Sequence, residues 1–485
     1  MTRSLRWRQF ATAMPLKLFL VALLVRLIPV LLAVNLGIGL DDMFQYDMLA
    51  RSLALGNGFR WYSQQDLPLI QPYIHLDLSA VNYDSRGVLT SFRAPLYPVL
   101  LALIYLVSGL GTRRFFAARL VQAFLGAALA PLTYALARQL IPGREKAARI
   151  SAWVIGLYPL LILYPLALVT ENLFFLLVLG SAVTLLKAAE NRDWKWFVAS
   201  GILFGLTALT RSIALIYIGL AILWIWLILK ERRMAVATLA AVVLVITPWV
   251  VRNSLLLHRL SGLENSMGYN LYVGYYPTGT GTFQYPQSLD LLSIVDDGVR
   301  EQVGYAKAWG FIKADPARVP YLIVRRAGYF FGLERRALTY FYSNNIFGYI
   351  PTPALLAASL VLLVPFVIVA VSSAFGLASL RSRPEILLLV LILVGYITPH
   401  LLILAEDRFH LAILPFLVIP AAQAWTGGAA ALKERSRTKI GKVALILAGL
   451  VVLLLCLNWG GELWRDAGRI SQLLGPHGNQ TYFPY

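Results

Sequence analysis

Cysteine is almost missing from this chain. Cys456 is the single one in 485 residues, so disulfides within the chain and cysteine-rich metal sites are excluded. Charge is scarce too: Asp, Glu, Lys and Arg make up 14% of the residues, against about 25% in soluble domains. No GxGxxG or P-loop run occurs, which removes the usual backbone cradles for nucleotide phosphates. His75, His258, His400 and His410 show no HExxH-type spacing, and no structural zinc site is expected. Internal repeats and low-complexity tracts are absent as well.

Apolar residues make up 59% of the chain, and the mean hydropathy is +0.68. They fall in blocks of about 20 residues, the length that crosses a hydrocarbon core of about 30 Å. The spans run near Leu16–Leu36, Phe115–Leu136, Ile150–Val169, Leu173–Leu186, Phe197–Leu209, Ile213–Leu229 and Ala235–Val251. Four more follow a long polar stretch, at Ala354–Phe375, Ile386–Leu404, Leu411–Ala424 and Val443–Leu457. The fold class expected is therefore an all-α polytopic membrane protein of about 11 (11–13) transmembrane helices, in one domain over 1–460. Residues Met1 to Lys17 are basic and lead into an apolar run with no small-residue cleavage site, which reads as a retained first span.

The net charge of +19 would point to nucleic acid in a soluble protein. Here the basic residues gather in short turns such as Lys230-Glu231-Arg232-Arg233 and Arg381-Ser382-Arg383 and in the stretch from Lys433 to Lys442, as the positive-inside rule expects of cytoplasmic loops. No nucleic-acid partner is predicted. With the N-terminus inside, two polar stretches fall outside, 37–94 and 253–350, with a tail at 461–485. Pro95–Leu110 reads as a short helix that enters without crossing, because a full crossing would put Arg138, Arg144, Lys146 and Arg149 outside. Asp47–Leu55 is apolar on one face and fits a helix lying in the interface.

Chemistry must come from those two loops and the helix ends beneath them. Asp41 and Asp42 follow the first span directly. A carboxylate there can act as general base on an acceptor or help hold a divalent cation. Arg93, Arg211, Arg252 and Arg408 all lie at external span ends, where guanidinium groups suit a phosphate. Arg26 lies mid-span and must face the bundle interior, a cavity or a partner. Glu171 falls at an external turn, as a supporting acid or a carboxylate favoured by a helix N-terminus.

The run from Asp42 to Phe59 resembles the opening of the first external loop in bacterial relatives of protein O-mannosyltransferases and lipid A aminoarabinose transferases, families that share the GT-C fold. Arg93-Ala94-Pro95-Leu96-Tyr97-Pro98, Thr170-Glu171-Asn172, Leu209-Thr210-Arg211, Pro248-Trp249-Val250-Val251-Arg252-Asn253, Asn270-Leu271-Tyr272-Val273-Gly274 and Glu406-Asp407-Arg408-Phe409 are similar to the superfamily's recurring blocks, in its order.

The resemblance implies a glycosyltransferase taking its sugar from a polyprenyl-phosphate donor, with a glycan, lipid or protein acceptor, on the outer face of a prokaryotic cytoplasmic membrane. By its spacing to Tyr46, Asp42 matches the family's catalytic acid. Met43 stands where relatives often carry Glu, so the second acid's role falls to Asp41, to Glu171 or to neither. Tyr46, Tyr97 and Glu406 lie inside these blocks and join the arginines as substrate-binding candidates. A WWDYG block is absent, which argues against transfer of a whole oligosaccharide to asparagine. The rival class is a transporter of lipid-linked substrates, against which stands the lack of internal halves.

Overall fold

The computed structural model describes residues 2–79, 81–335 and 350–475. The end of the second expected external loop, 336–349, and the tail residues 476–485 lie outside the described residues.

The chain opens with α1 (Thr2–Leu32), α2 (Asp42–Ala54), a two-stranded antiparallel ribbon of β1 (Arg60–Trp61) and β2 (Val88–Leu89), and between the strands a one-turn α3 (Leu67–Ile70). It continues through α4 (Leu96–Ser108), α5 (Arg113–Ala127), α6 (Leu129–Leu140), α7 (Glu145–Leu157), α8 (Pro159–Leu163), α9 (Glu171–Asn191), α10 (Trp194–Thr210), α11 (Leu215–Leu227) and α12 (Arg232–Leu256). Helices α13 (Met267–Tyr275), α14 (Asp297–Ala314) and α15 (Arg318–Phe330) build the second polar region. The chain then runs through α16 (Thr352–Ser379), α17 (Pro384–Leu402), α18 (Leu414–Arg435), α19 (Lys439–Arg465) and α20 (Ala467–Leu473).

Among the described residues, eight helices are long and apolar enough to cross a membrane, or nine if α7 and α8, bent by 49° at Tyr158-Pro159, count as one span. The protein is thus an all-α polytopic membrane bundle. Two further expected spans form α10, of 17 residues, and α11 with its leading 3-10 turn over 212–227. At about 1.5 Å per residue each reaches roughly 25 Å. Helix α4, expected to enter without crossing, has 13 residues.

Helices α1, α12, α16 and α19 turn an apolar face outward, with Leu32, Leu244, Leu360 and Ile446 among the exposed residues, as lipid contact requires. Helix pairs close on small residues instead. A side chain at Gly201 would meet the Thr238 carbonyl, and one at Gly205 the Val245 side chain, so α10 and α12 approach as small-xxx-small helices do.

The bend at α7–α8 explains Arg26. Pro159 has no N–H, and Tyr158 is extended, so the Ile155 and Gly156 carbonyls lose their helical partners. Arg26, fully buried, donates to Gly156 O at 2.8 Å, Ile155 O at 3.3 Å and Ala22 O at 2.9 Å.

The basic turns share one end of the bundle. Arg383 donates to Leu140 O, Arg192 pairs with Glu231 at 2.7 Å, and Arg381 pairs with Glu434 at 3.0 Å. At the other end the two polar stretches pack together: Asn265 Nδ2 donates to Ser91 Oγ at 2.8 Å, and the buried Asp297 accepts from Thr90, Ser91 and Arg300.

Helix α2 covers the stretch Asp47–Leu55 that was expected as a helix in the interface, with bounds Asp42–Ala54. Eight of its 13 residues are buried, Asp47 included. Asp47 accepts from Tyr105 Oη at 2.9 Å, Arg114 Nε at 2.8 Å and Arg51 Nε at 2.7 Å. Arg51 lies in α2 itself, and Tyr105 and Arg114 tie the helix to α4 and the start of α5.

Candidate functional site

A cavity of about 1560 Å³ opens at the end where the polar stretches meet. Its polar lining includes Asp41, Asp42, Gln45, Glu406, Asp407 and Arg408. Its apolar lining includes Leu31, Leu32, Val34, Leu69 and Leu163.

Asp41 and Asp42 are positioned by the start of α2. The Asp41 carboxylate is the helix cap, accepting from the Met43 N–H at 2.9 Å, which satisfies one of the free donors of the first turn. Asp42, the next residue, is gripped from two sides. Arg93 donates to its Oδ1, and Arg408 Nη2 lies 3.4 Å from its Oδ2. Arg93 is itself fixed by Gln45 Oε1, at 2.9 and 2.7 Å. Arg408 is fixed by Glu406 at 2.9 Å.

Burial alone would raise the Asp42 pKa, but the charges of Arg93, Arg408 and Arg211 outweigh it and hold the carboxyl at about 2. Desolvation at the cavity wall, and then the charge of Asp42, push the Asp41 carboxyl up. Two adjacent acids are thereby driven apart, the pattern that separates roles in paired-carboxylate sites.

The remaining candidates divide. Glu171 pairs with Arg211 at 2.9 Å, and Arg211 lies over the rings of Phe174 and Phe409. This pair stands behind the cavity wall, where its arginine acts on Asp42 through charge. Tyr46 and Tyr97 meet edge to face at 5.3 Å, Arg93 lies over the Tyr46 ring, and the Tyr97 hydroxyl donates to Gln122 Oε1 at 2.7 Å. Neither tyrosine lines the cavity. Tyr46 supports Arg93, and Tyr97 packs against Tyr46.

Arg252 is not brought to the cluster. It donates to Thr90 O and to Asn253 Oδ1 and lies over the Trp249 ring at 4.8 Å. Asn253 Nδ2 donates to Gly262 O and Leu263 O, and Trp249 Nε1 to Leu263 O. The block from Pro248 to Asn253 therefore ties the two polar stretches together.

Sequence reading missed Gln45, which fixes Arg93, and Glu334, which lines the cavity from the segment after α15. Gln45 lies inside the block that resembles the family and was open to notice. Glu334 belongs to no motif. Among the described residues, no group of three or more His, Cys, Asp or Glu side chains converges as a metal site.

An α-helical membrane bundle with an acid gripped by arginines at a cavity lined in part by apolar side chains is the class that fold and site define. A family model described as dolichyl-phosphate-mannose-protein mannosyltransferase matches residues 93–251. The apo structure of the Archaeoglobus fulgidus oligosaccharyltransferase is similar in fold, with a TM-score of 0.50 and 14% identity over 97% of this chain. The chain spans only 60% of that protein's length. ArnT from Cupriavidus metallidurans bound to undecaprenyl phosphate aligns over 86% of this chain and 79% of its own, at 12% identity and a TM-score of 0.39. That score is too low for the likeness to bear on the argument. No curated protein matches the sequence. What the chain shares with the first of these structures is the fold.

Proposed function

We propose that this protein is a glycosyltransferase that takes a sugar from a polyprenyl-phosphate donor on the outer face of a prokaryotic cytoplasmic membrane. The observation that carries the reading is that Asp42, paired with Arg93 and Arg408, lines together with Arg408 a cavity whose lining also holds a set of apolar side chains. A polyprenyl-phosphate sugar likewise joins an anionic head to a hydrocarbon tail. The domain on this reading covers 1–460, with 37–94, 253–350 and 461–485 outside and the two shorter helices completing eleven crossings.

The donor phosphate takes its place against Arg408, in reach of the field of Arg93 and Arg211. Asp42 orients and deprotonates the acceptor hydroxyl or amine. The acceptor attacks the anomeric carbon from the side opposite the phosphate, the C–O bond to phosphate breaks, and the configuration inverts. Arginines stabilise the charge arriving on the leaving phosphate, an electrostatic contribution that grows as water is excluded.

A carboxylate with a pKa of about 2 is a weak base while the arginines hold it. The incoming phosphate supplies negative charge to those arginines and loosens their hold on Asp42, so its basicity rises as the donor is bound.

The test is release of free polyprenyl phosphate from synthetic polyprenyl-phosphate sugars by the purified protein with candidate acceptors. Asp42→Asn should lower turnover by about 10²–10⁴-fold, the range for general-base catalysis, with donor binding largely kept. Asp41→Asn should cost less, since Asp41 caps α2. An Asp42→Asn protein with normal turnover, or a more impaired Asp41→Asn protein, shows that the wrong acid has been chosen. Counterflow of intact lipid without turnover would favour a transporter.

A further inference from the structure

Glu334 is an ionisable group on the cavity wall that this mechanism does not use. It follows α15 and is 2% exposed, yet it is among the residues lining the cavity. Its two oxygens differ. Oε1 accepts from the Tyr158 hydroxyl at 2.7 Å and lies 2.9 Å from His410 Nε2. Oε2 is buried and has no hydrogen-bond partner among the described residues.

Where the hydrogens sit follows from the partners. His410 Nδ1 lies 2.8 Å from Phe330 O. A carbonyl only accepts, so Nδ1 carries a hydrogen. The facing atoms Nε2 and Oε1, at 2.9 Å, need a hydrogen between them, since two lone pairs at that distance repel. Whether that proton belongs to the imidazolium or to the carboxylic acid, Oε2 keeps only lone pairs. It is an acceptor in both forms, and no donor among the described residues meets it.

This group is held rigidly. His410 stacks on Phe366, with ring centroids 3.7 Å apart. Leu333 N donates to Glu462 of α19, and Trp459 Nε1 donates to Phe331 O. Arg408 and His410 lie two residues apart on one 3-10 stretch, Asp407–Ile413, about 4 Å along its axis. One element thus carries the guanidinium that reaches Asp42 and the imidazole that orients Glu334.

We propose that Glu334 Oε2 accepts a hydrogen bond from a hydroxyl of the donor's sugar, with Tyr158 and His410 as the residues that position its carboxyl group. The inference rests on the reading of this cavity as the donor site. A phosphate, which offers acceptors only, is excluded from this spot; a hydroxyl-bearing ring attached to a phosphate at Arg408 suits it.

Binding separates this inference from the proposed reaction. The probes are undecaprenyl phosphate and undecaprenyl-phosphate mannose, titrated into the full-length protein in nanodiscs. Glu334→Ala should weaken binding of the sugar lipid by about tenfold, the loss of one hydrogen bond, and leave the bare lipid unchanged. Glu334→Gln can turn its amide nitrogen to His410 and its carbonyl oxygen to the cavity, so it should stay within about threefold of the parent. Equal losses for both lipids, or no loss for either, overturn the proposal.

Should the alanine variant not fold, infrared difference spectra of the parent decide. The sugar lipid should shift a carboxyl band that the bare lipid leaves in place and that Glu334→Gln lacks; no such band overturns the assignment. If the parent binds neither lipid, the donor-site reading fails and the inference falls with it. If the parent binds both and Glu334 makes no difference, the inference alone fails.

Discussion

The arginines that sequence reading placed together as phosphate ligands do different things. Arg408 lines the cavity, Arg93 reaches Asp42 from behind it, and Arg252 ties one loop to another. Arg408→Ala should therefore weaken binding of a polyprenyl-phosphate donor by about 2–5 kcal/mol, the cost of removing one partner from a desolvated charge pair. Arg252→Ala should leave donor affinity close to the parent's and lower the melting temperature instead. Titration of both variants with undecaprenyl phosphate checks this, and an Arg252→Ala protein that loses affinity while keeping its melting temperature would return Arg252 to the site. The sequence shows that an arginine ends a span. It does not show which way the side chain turns, and Arg252 turns to Thr90 O because the strand before Arg93 leaves that carbonyl free to accept. Asp41, Asp42, Glu406 and Arg408 were legible because each sits at a break between an apolar run and a polar one. Glu334 and His410 are 76 residues apart, and neither sits in a pattern that announces the other.

At the scale of elements, length and composition gave the long apolar helices, since an apolar run of about 20 residues has few other fates. Helices α13, α14 and α15 of the second polar region have no such run and went unread. The tie of α2 to the rest of the protein was hidden as well, because one cationic partner of Asp47, Arg114, comes from 67 residues away. The bend between α7 and α8 was hidden too, although Pro159 and Arg26 are both plain in the sequence. Arg26 serves the carbonyls that the bend exposes, and the close pass of Gly126 leaves it room. Arg26→Met keeps the stem and removes the donors. It should destabilise the protein by about 1–3 kcal/mol, the cost of unsatisfied buried carbonyls, with turnover per folded molecule unchanged. Thermal unfolding in nanodiscs beside a turnover assay checks this; unchanged melting with lost turnover would place Arg26 on the substrate's path.

For the whole molecule, the contrast between its two ends carries the orientation. One end gathers the turns holding Arg144, Arg192, Arg381 and Arg435, and the other holds the packed loops and the cavity. By the positive-inside rule the proposed orientation puts the cavity outside. With Cys456 replaced by Ser, Ser288→Cys should react with a membrane-impermeant thiol reagent in intact spheroplasts, and Ser382→Cys only after lysis. The reverse pattern would invert the protein and move the proposed chemistry to the cytoplasm.

The cavity's apolar lining includes side chains that are bare on the outside, Leu32 at 84% and Leu31 at 57% exposed. On the proposed function, a donor that arrives past them never passes through bulk water, so the quantity that saturates the reaction is a mole fraction in a two-dimensional solvent. Diluting the donor with inert phospholipid at constant bulk concentration should then slow turnover roughly in proportion below saturation, as measured in proteoliposomes. Turnover that follows bulk concentration alone would mean that the donor enters through the aqueous face. On the first outcome, competing carrier lipids in the same leaflet, the released polyprenyl phosphate among them, act as inhibitors by crowding the surface even at vanishing concentration in solution.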